Sequence, residues 1–319
     1  MVPTVKNERK NMKNVKPLAV IDSETLMNSE FRERRFCVET LLPQGLCMLA
    51  GAPKIGKSWM ALDLALHVAK GEALWGLKVH PGTVLYLCLE DGNGRIHDRL
   101  NAITDEGAGN LFLSFEADSL NDGLIPQLMN FKKEHPDLAL IIIDTLQKIR
   151  EVSTDAYSYA NDYDIVGRMK QFADKNGVCL LLVHHTRKQQ AGDKFEMISG
   201  TTGLLGCADG AFLLQKEKRT DLNATLEIVG RDQPDQKLHL TRDAEKLTWQ
   251  LDHAETELWK KLPDPLLSKL VAVLDGDTPV WNGSATELVA LLGEDIQPNI
   301  LTRRLNVKAG ELLNEYGIE

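Results

Sequence analysis

Nothing in these 319 residues approaches the run of about 18 apolar residues that a membrane-crossing helix needs, and the opening stretch, Met1 to Lys16, is polar with no apolar signal core. The expectation is a cytoplasmic protein with no membrane partner. Cysteine is scarce. Cys37, Cys47, Cys88, Cys179 and Cys207 are odd in number and show no C-x-x-C spacing, which argues against both a disulfide framework and a zinc site. Three of them sit in apolar, strand-like runs and read as buried free thiols. Positive charge is short too: 37 Lys and Arg face 46 Asp and Glu, a net charge of −9. A chain coated in positive potential is excluded, so any nucleic-acid contact must come from a local basic channel. No internal repeat or low-complexity tract is present. The 43% hydrophobic and 26% charged content suits one large globular domain with a small satellite.

What is present begins with residues 51 to 58, Gly-Ala-Pro-Lys-Ile-Gly-Lys-Ser, which satisfy G-x-x-x-x-G-K-[ST] at every fixed position. An apolar strand-like run, Leu46 to Ala50, precedes them and a helix-like run, Trp59 to Ala69, follows. Gly51 and Gly56 let the backbone curl so that its N–H groups converge on phosphate oxygens, and the following helix offers its positive end to the same anion. The binding loop is therefore Gly51, Ala52, Pro53, Lys54, Ile55, Gly56, Lys57, Ser58 and Trp59, with Lys57 reaching the β and γ phosphates and Ser58 holding Mg²⁺. The implied ligands are ATP or GTP and Mg²⁺.

The rest of the chain places this loop in an α/β fold. Residues 1 to about 28 carry scattered Lys and Arg with little apolar periodicity and read as a flexible basic tail. Thr83 to Leu89, Leu111 to Phe115, Leu138 to Asp144 and Val178 to Val183 read as strands, with helices at Leu120 to His135 and Asp164 to Lys175 between them. That alternation means a mostly parallel sheet with helices on both faces. After a short helix, Thr201 to Cys207, four closely spaced strands, Gly210 to Gln215, Ala224 to Val229, Lys237 to Thr241 and Leu247 to Leu251, should add antiparallel hairpins at one edge. From about residue 253 the pattern turns helical: Leu258 to Leu262, Pro265 to Leu274, Ser284 to Leu292 and Pro298 to Tyr316. The domains expected are thus 1–28, 29–252 and 253–319.

Nucleotide sites in open α/β sheets lie at the carboxyl ends of the parallel strands. Those ends carry Glu90-Asp91, Asp144 and His184-His185. Asp144, after an apolar strand, has the position of a carboxylate that holds Mg²⁺ directly or through water. Thr145 follows it where many ATPases place the water-activating base, so that base must come from elsewhere; Glu90 is the candidate and Asp91 its competitor. His184 or His185 is placed to hydrogen-bond the γ-phosphate and report its loss to the next loop.

The succession Leu41-Leu-Pro-Gln-Gly-Leu46, Ala50 to Trp59, Val84 to Asp91, Ile142-Ile-Asp-Thr145 and Val183-His-His185 resembles the RepA-like branch of the RecA/DnaB superfamily, plasmid and phage helicases and related ATPases, over roughly residues 36 to 245. The resemblance implies a RecA-like P-loop core, a homo-hexameric ring, ATP between neighbouring subunits, and an arginine from the adjacent subunit on the γ-phosphate. Arg231 matches that place, with Arg219 second, although Val229-Gly230-Arg231 lacks the lysine of the Lys-x-Arg seen in DnaB-type relatives. Channel loops would be Lys148 to Asp162 and Arg187 to Ile198. They offer Lys148, Arg150, Tyr157, Tyr159, Arg187, Lys188, Lys194 and Phe195 to single-stranded DNA, interleaved with Glu151, Asp155, Asp162, Asp193 and Glu196.

Gly283 to Gly293 followed by Asn299 to Gly317 resembles the helix-turn-helix half of winged-helix domains, without a wing after Gly317. With 6 Lys and Arg against 11 Asp and Glu from Glu255 onward, this domain has the charge to bind a replication protein partner at least as readily as DNA. Two functional readings follow. One is an ATP-driven helicase or translocase on single-stranded DNA in replication of a plasmid, phage or mobile element. The other is an ATP-switched regulatory or recombination-associated protein that does not unwind.

Overall fold

The structure is a computed structural model that describes residues 18–29, 36–150, 159–186, 194–198, 202–231, 233–255, 264–274 and 280–318. The chain divides into two compact units, Arg34–Lys261 and a second that holds Met1–Glu33 with Leu262–Glu319.

In the first segment the helix α1 (Ser23–Met27) forms where the sequence reads as a tail, because Asp22 caps it, accepting from the Thr25 amide at 2.8 Å. In the α/β unit a small hairpin of β1 (Phe36–Val38) and β2 (Leu42–Pro43) leads into β3 (Gly45–Gly51), and α2 (Lys57–Lys70) follows. Then come β4 (Thr83–Cys88), α3 (Asn93–Ile103), β5 (Leu111–Ser114), α4 (Leu124–Glu134) and β6 (Leu138–Asp144). A short 3₁₀ turn at Leu146–Ile149 precedes α5 (Tyr159–Asn176) and β7 (Cys179–His185), and another lies at Lys194–Met197. The unit closes with α6 (Thr202–Cys207), β8 (Gly210–Gln215), β9 (Asn223–Gly230), β10 (Gln236–Arg242) and β11 (Trp249–Ala254).

The main sheet runs β11-β10-β9-β8-β3-β7-β6-β4-β5. Strands β8, β3, β7, β6, β4 and β5 are mutually parallel, and β9 to β11 extend the sheet antiparallel. Of the four strands expected as edge hairpins, β8 therefore belongs to the parallel core, paired with β3, and only the later three form the antiparallel extension. The buried strands read as unbroken apolar runs because both faces are covered. One face packs α2 and α3, with Leu62, Ala65, Ile96 and Ile142 in its core; the other packs α4, α5 and α6, with Leu124, Val166, Met169 and Ile141. Alternation along each strand therefore decides which face, and which neighbours, a residue at the strand end receives.

The second unit is helical: α7 (Pro265–Val273), α8 (Ala285–Leu292), α9 (Pro298–Val307) and α10 (Ala309–Glu311), then a π turn at Leu312–Tyr316. Leu267, Leu288, Leu301 and Leu312 make its core. Ser284 and Glu287 form a reciprocal capping box, and Gly293 ends α8 in the left-handed conformation. The single helix expected over Pro298 to Tyr316 is broken at Lys308, where ψ is 5°, just before the weak helix former Gly310. The expected helix Leu258 to Leu262 lies outside the described residues.

Candidate active site

The loop Gly51 to Ser58 joins β3 to α2 at the carboxyl end of the parallel strands. Gly56 sits at φ 110°, and a Cβ there would come within 3.1 Å of the Trp249 ring, so both conformation and packing call for glycine. A Cβ on Gly51 would lie 2.7 Å from the Leu214 carbonyl. Ala52, Pro53 and Lys54 are exposed on the outer curve of the loop, Ile55 anchors it in the core, and Ser58 and Trp59 begin α2 half-buried.

Lys57 is buried, and its Nζ donates to the carbonyls of Gly51 at 2.9 Å and Ala52 at 3.0 Å. Burial lowers its pKa to about 8, against the pull of Asp144 and Glu90, so the ammonium is charged at neutral pH. The same Nζ lies 3.1 Å from His185 Nδ1. An ammonium has only donors, so Nδ1 accepts and the imidazole proton resides on Nε2, which faces Glu90 Oε1 at 3.7 Å. That oxygen also accepts from Thr145 Oγ1 at 3.1 Å. Thr145, whose hydroxyl is no base, thus holds the Glu90 carboxylate in place. The Asp144–Thr145 peptide is cis.

Asp144 ends β6 only 3% exposed. Its Oδ2 accepts from the Tyr86 hydroxyl at 2.9 Å, while Oδ1 has no hydrogen-bond partner among the described residues. Burial raises its pKa, opposed by the Ser58 and Tyr86 hydroxyls and reinforced by Glu90 and Asp91. A buried carboxylate oxygen left without a donor, beside a serine hydroxyl, is what a hard divalent cation requires. Ser58 and Asp144 therefore fit Mg²⁺, which when bound would neutralise phosphate charge.

The structure separates the two histidines. Leu181 and Val183 of β7 join the core beneath α2, and Leu180 and Leu182 join the opposite one, so alternation delivers His185 to the P-loop and His184 to the far face. His184 is 4% exposed, and among the described residues neither ring nitrogen has a hydrogen-bond partner. Burial, then Arg150, His185 and Lys57, lower its pKa to about 3, which keeps it neutral. Asp91, the competitor for the base, is instead occupied by Arg95 at 2.5 Å and Arg99 at 2.6 Å.

Arg231 follows β9 at the other end of the sheet. Gly230 is paired with Gly210 at the start of β8, and the Arg231 guanidinium donates to the Gly206 carbonyl at 2.5 Å. It does not meet the P-loop of its own chain. Arg219 is exposed in the β8–β9 connection, at the P-loop end. Of the channel-loop residues, Lys148 is exposed, Lys194 is ion-paired with Glu227, and Phe195 packs against the core beneath α5. Tyr157, Arg187 and Lys188 lie outside the described residues, as does the side chain of Tyr159.

A cluster invisible in the linear sequence flanks the loop. Arg242 lies over Trp59 at 5.6 Å and Trp249 at 5.7 Å, and Arg99 over Trp59 at 5.5 Å. The Trp249 indole N–H donates to the Gly56 carbonyl at 3.3 Å. Arg242 Nε is buried and has no hydrogen-bond partner among the described residues, so a cation with unused donor capacity stands next to the P-loop. Residues 59, 99, 242 and 249 carry no common motif; only the fold collects them.

A family model described as AAA domain (AAA_25) matches residues 13–191. No curated protein matches the chain. Among solved structures, an ATPase domain aligns with a TM-score of 0.54 at 16% identity over 65% of this chain and 84% of that one. A DnaB-like replicative helicase, in a structure describing its interactions with primase, aligns with a TM-score of 0.54 at 16% identity over 65% of this chain and 57% of that one. A KaiC-like protein from Pyrococcus horikoshii aligns with a TM-score of 0.51 at 14% identity over 68% of this chain and 94% of that one. The α/β unit has the RecA-like fold.

Proposed function

We propose, from the premise that this chain belongs to the AAA domain family, that it is an ATP-hydrolysing motor of the RepA-like helicase type that moves on single-stranded DNA. The observation that carries the reading is the position of Glu90, held by Thr145 and faced by His185, beside a phosphate-loop lysine and a half-satisfied Asp144. In this reading Lys57 and the loop amides bind the phosphates, Ser58 and Asp144 hold Mg²⁺, and Glu90 takes the proton of the attacking water. His185, bonded to Lys57 and near Glu90, senses whether the terminal phosphate is present. His184 acts from the other face by positioning, without touching phosphate.

Arg231, at the far end of its own sheet, does not serve its own P-loop; the reading includes a homo-hexameric ring, taken from the resemblance to DnaB-type ATPases, in which it would serve a neighbour's site. The acidic C-terminal unit is assigned to a replication protein partner. The second reading, an ATP-switched regulator that does not unwind, is favoured by one observation: Lys194, a channel-loop cation, is already neutralised by Glu227. Steady-state ATPase with and without single-stranded DNA, at two salt concentrations and with the mass read by light scattering, separates them. Salt-sensitive stimulation of a hexamer supports the motor. Slow, DNA-indifferent turnover by a monomer or dimer supports the switch.

A further inference from the structure

We infer that the cleft between the second half of α2, the end of α3 and the β10–β11 hairpin is a second ligand site, for a guanidinium or ammonium group, coupled to the P-loop through Trp249. The cleft has a volume of about 580 Å³, the size of a small-molecule pocket. Its wall includes Asp63, which is only 7% exposed. No hydrogen bond reaches that carboxyl from any described residue, and the nearest opposite group is His67 Nε2 at 3.7 Å. A carboxylate this little exposed, facing the cleft with only an imidazole beside it, gains from any N–H donor that enters. Burial accordingly raises its pKa to about 6, with His67 and Lys246 opposing.

The charge of the wall specifies the sign of the ligand. Glu72, Asp105 and Glu106 join Asp63, against Lys70 and Lys246. Lys70 is held by the Thr104 hydroxyl at 2.9 Å and ion-pairs with Glu72 at 3.9 Å rather than with Asp63, and Lys246 acts on Asp63 only from a distance, which leaves Asp63, Asp105 and Glu106 as the acids no lysine of the wall pairs with. Trp75, half-buried in the same wall, supplies aromatic surface on which a cation gains further. A cation with several N–H donors therefore fits where an anion does not.

Trp249 connects this cleft to the nucleotide loop. Its main-chain carbonyl accepts from Trp75 Nε1 at 2.7 Å, and its own indole N–H donates to the Gly56 carbonyl at 3.3 Å. Helix α2 is the second connection, since Lys57 and Ser58 open it and Asp63 and His67 lie further along it. An occupant that shifts either one changes the loop, and by linkage a nucleotide in the loop changes the affinity of the cleft by the same factor. The site itself rests on the cleft alone; the coupling rests on the nucleotide reading proposed above.

The test is calorimetric titration of the full chain with N-acetyl-arginine amide and with spermidine, followed in parallel by tryptophan fluorescence. Saturable one-site binding is expected, weakened about tenfold or more by Asp63→Asn. Glu106→Lys, at the exposed rim, should weaken it several-fold and serves if Asp63→Asn does not fold. Tighter binding of the arginine amide points to a polypeptide side chain as the natural source, and tighter binding of spermidine to a free polyamine. Absence of saturable binding by both probes, or binding untouched by both variants, overturns the site. A non-hydrolysable ATP analogue should change the cation affinity about threefold or more in the unaltered chain and by less in Trp249→Phe, which keeps only the α2 connection; equal affinity with and without bound analogue in the unaltered chain overturns the coupling. If the analogue does not bind at all, the function proposed above fails while the cation titration still decides the site.

Discussion

Asp144 and Asp209 are equally buried in the same sheet, each 3% exposed, yet they are treated in opposite ways. Asp209, just before β8 at the amino end of the parallel strands, accepts from the Leu46 amide at 3.0 Å and takes the Lys170 ammonium on both oxygens, at 2.6 Å on Oδ1. Asp144, at the carboxyl end, has the Tyr86 hydroxyl on one oxygen and, among the described residues, no hydrogen-bond partner on the other, with the Ser58 hydroxyl nearby. The first carboxylate closes the fold, tying β3, α5 and β8 together. The second is left short of donors by the fold, which in the proposed function leaves it for Mg²⁺. Burial alone does not mark a functional residue; unsatisfied burial at the right end of the sheet does.

The comparison can be broken by exchanging the two expectations. Asp144→Asn removes a charge the fold does not satisfy. ATP turnover should fall by about 10³-fold, the several kcal/mol that metal-assisted charge stabilisation supplies, while the urea midpoint holds or rises. A lower midpoint with normal turnover would make Asp144 the structural partner. Lys170→Met leaves Asp209 buried without its cation and should cost about 3 kcal/mol of stability in urea unfolding. Its nucleotide affinity should not change, and a loss of affinity without loss of stability would contradict the assignment.

A smaller effect sharpens the contrast across the sheet. His184 has a folded-state pKa of about 3, against 6.5 for the free side chain, so the unfolded chain gains a proton below pH 6.5 that the folded chain refuses. Stability is therefore lost as pH falls from 6.5 towards 3, and His184→Leu should lose less. Between pH 7.5 and pH 5 the variant should gain about 2 kcal/mol on the unaltered chain, read from denaturant midpoints. The smallest change concerns the helical unit. Ser284→Ala breaks the capping box and should cost about 1 kcal/mol in the hydrogen-exchange protection of Ala285–Leu292, with ATP turnover unchanged.

Much of the site was readable because its parts are local. The glycine spacing, the apolar runs into Asp144 and His184-His185, and the helix after Ser58 are consecutive residues whose meaning comes from sequence periodicity. The period of two along β7 already implies that the two histidines face opposite ways, but which face holds the P-loop depends on the packing of α2. Helix α3 escaped because Asn93 to Ile103 is mostly polar and buries only Ile96 and Ile103. The bond from Tyr86 to Asp144 and the Arg242, Trp59 and Trp249 cluster join residues far apart in the chain, and no spacing rule encodes them. Asp63 reads as one more position on an amphipathic helix until the cleft beside it is seen.

The proposed motor requires that the carboxyl end of this sheet bind ATP and that Glu90 activate the water which cleaves it. The most direct measurement is Mg-ATP affinity and steady-state turnover of Glu90→Gln on one preparation. Affinity should stay within about threefold of the unaltered chain while turnover falls by about 10²- to 10⁴-fold. Turnover near that of the unaltered chain, with affinity equally intact, would contradict it.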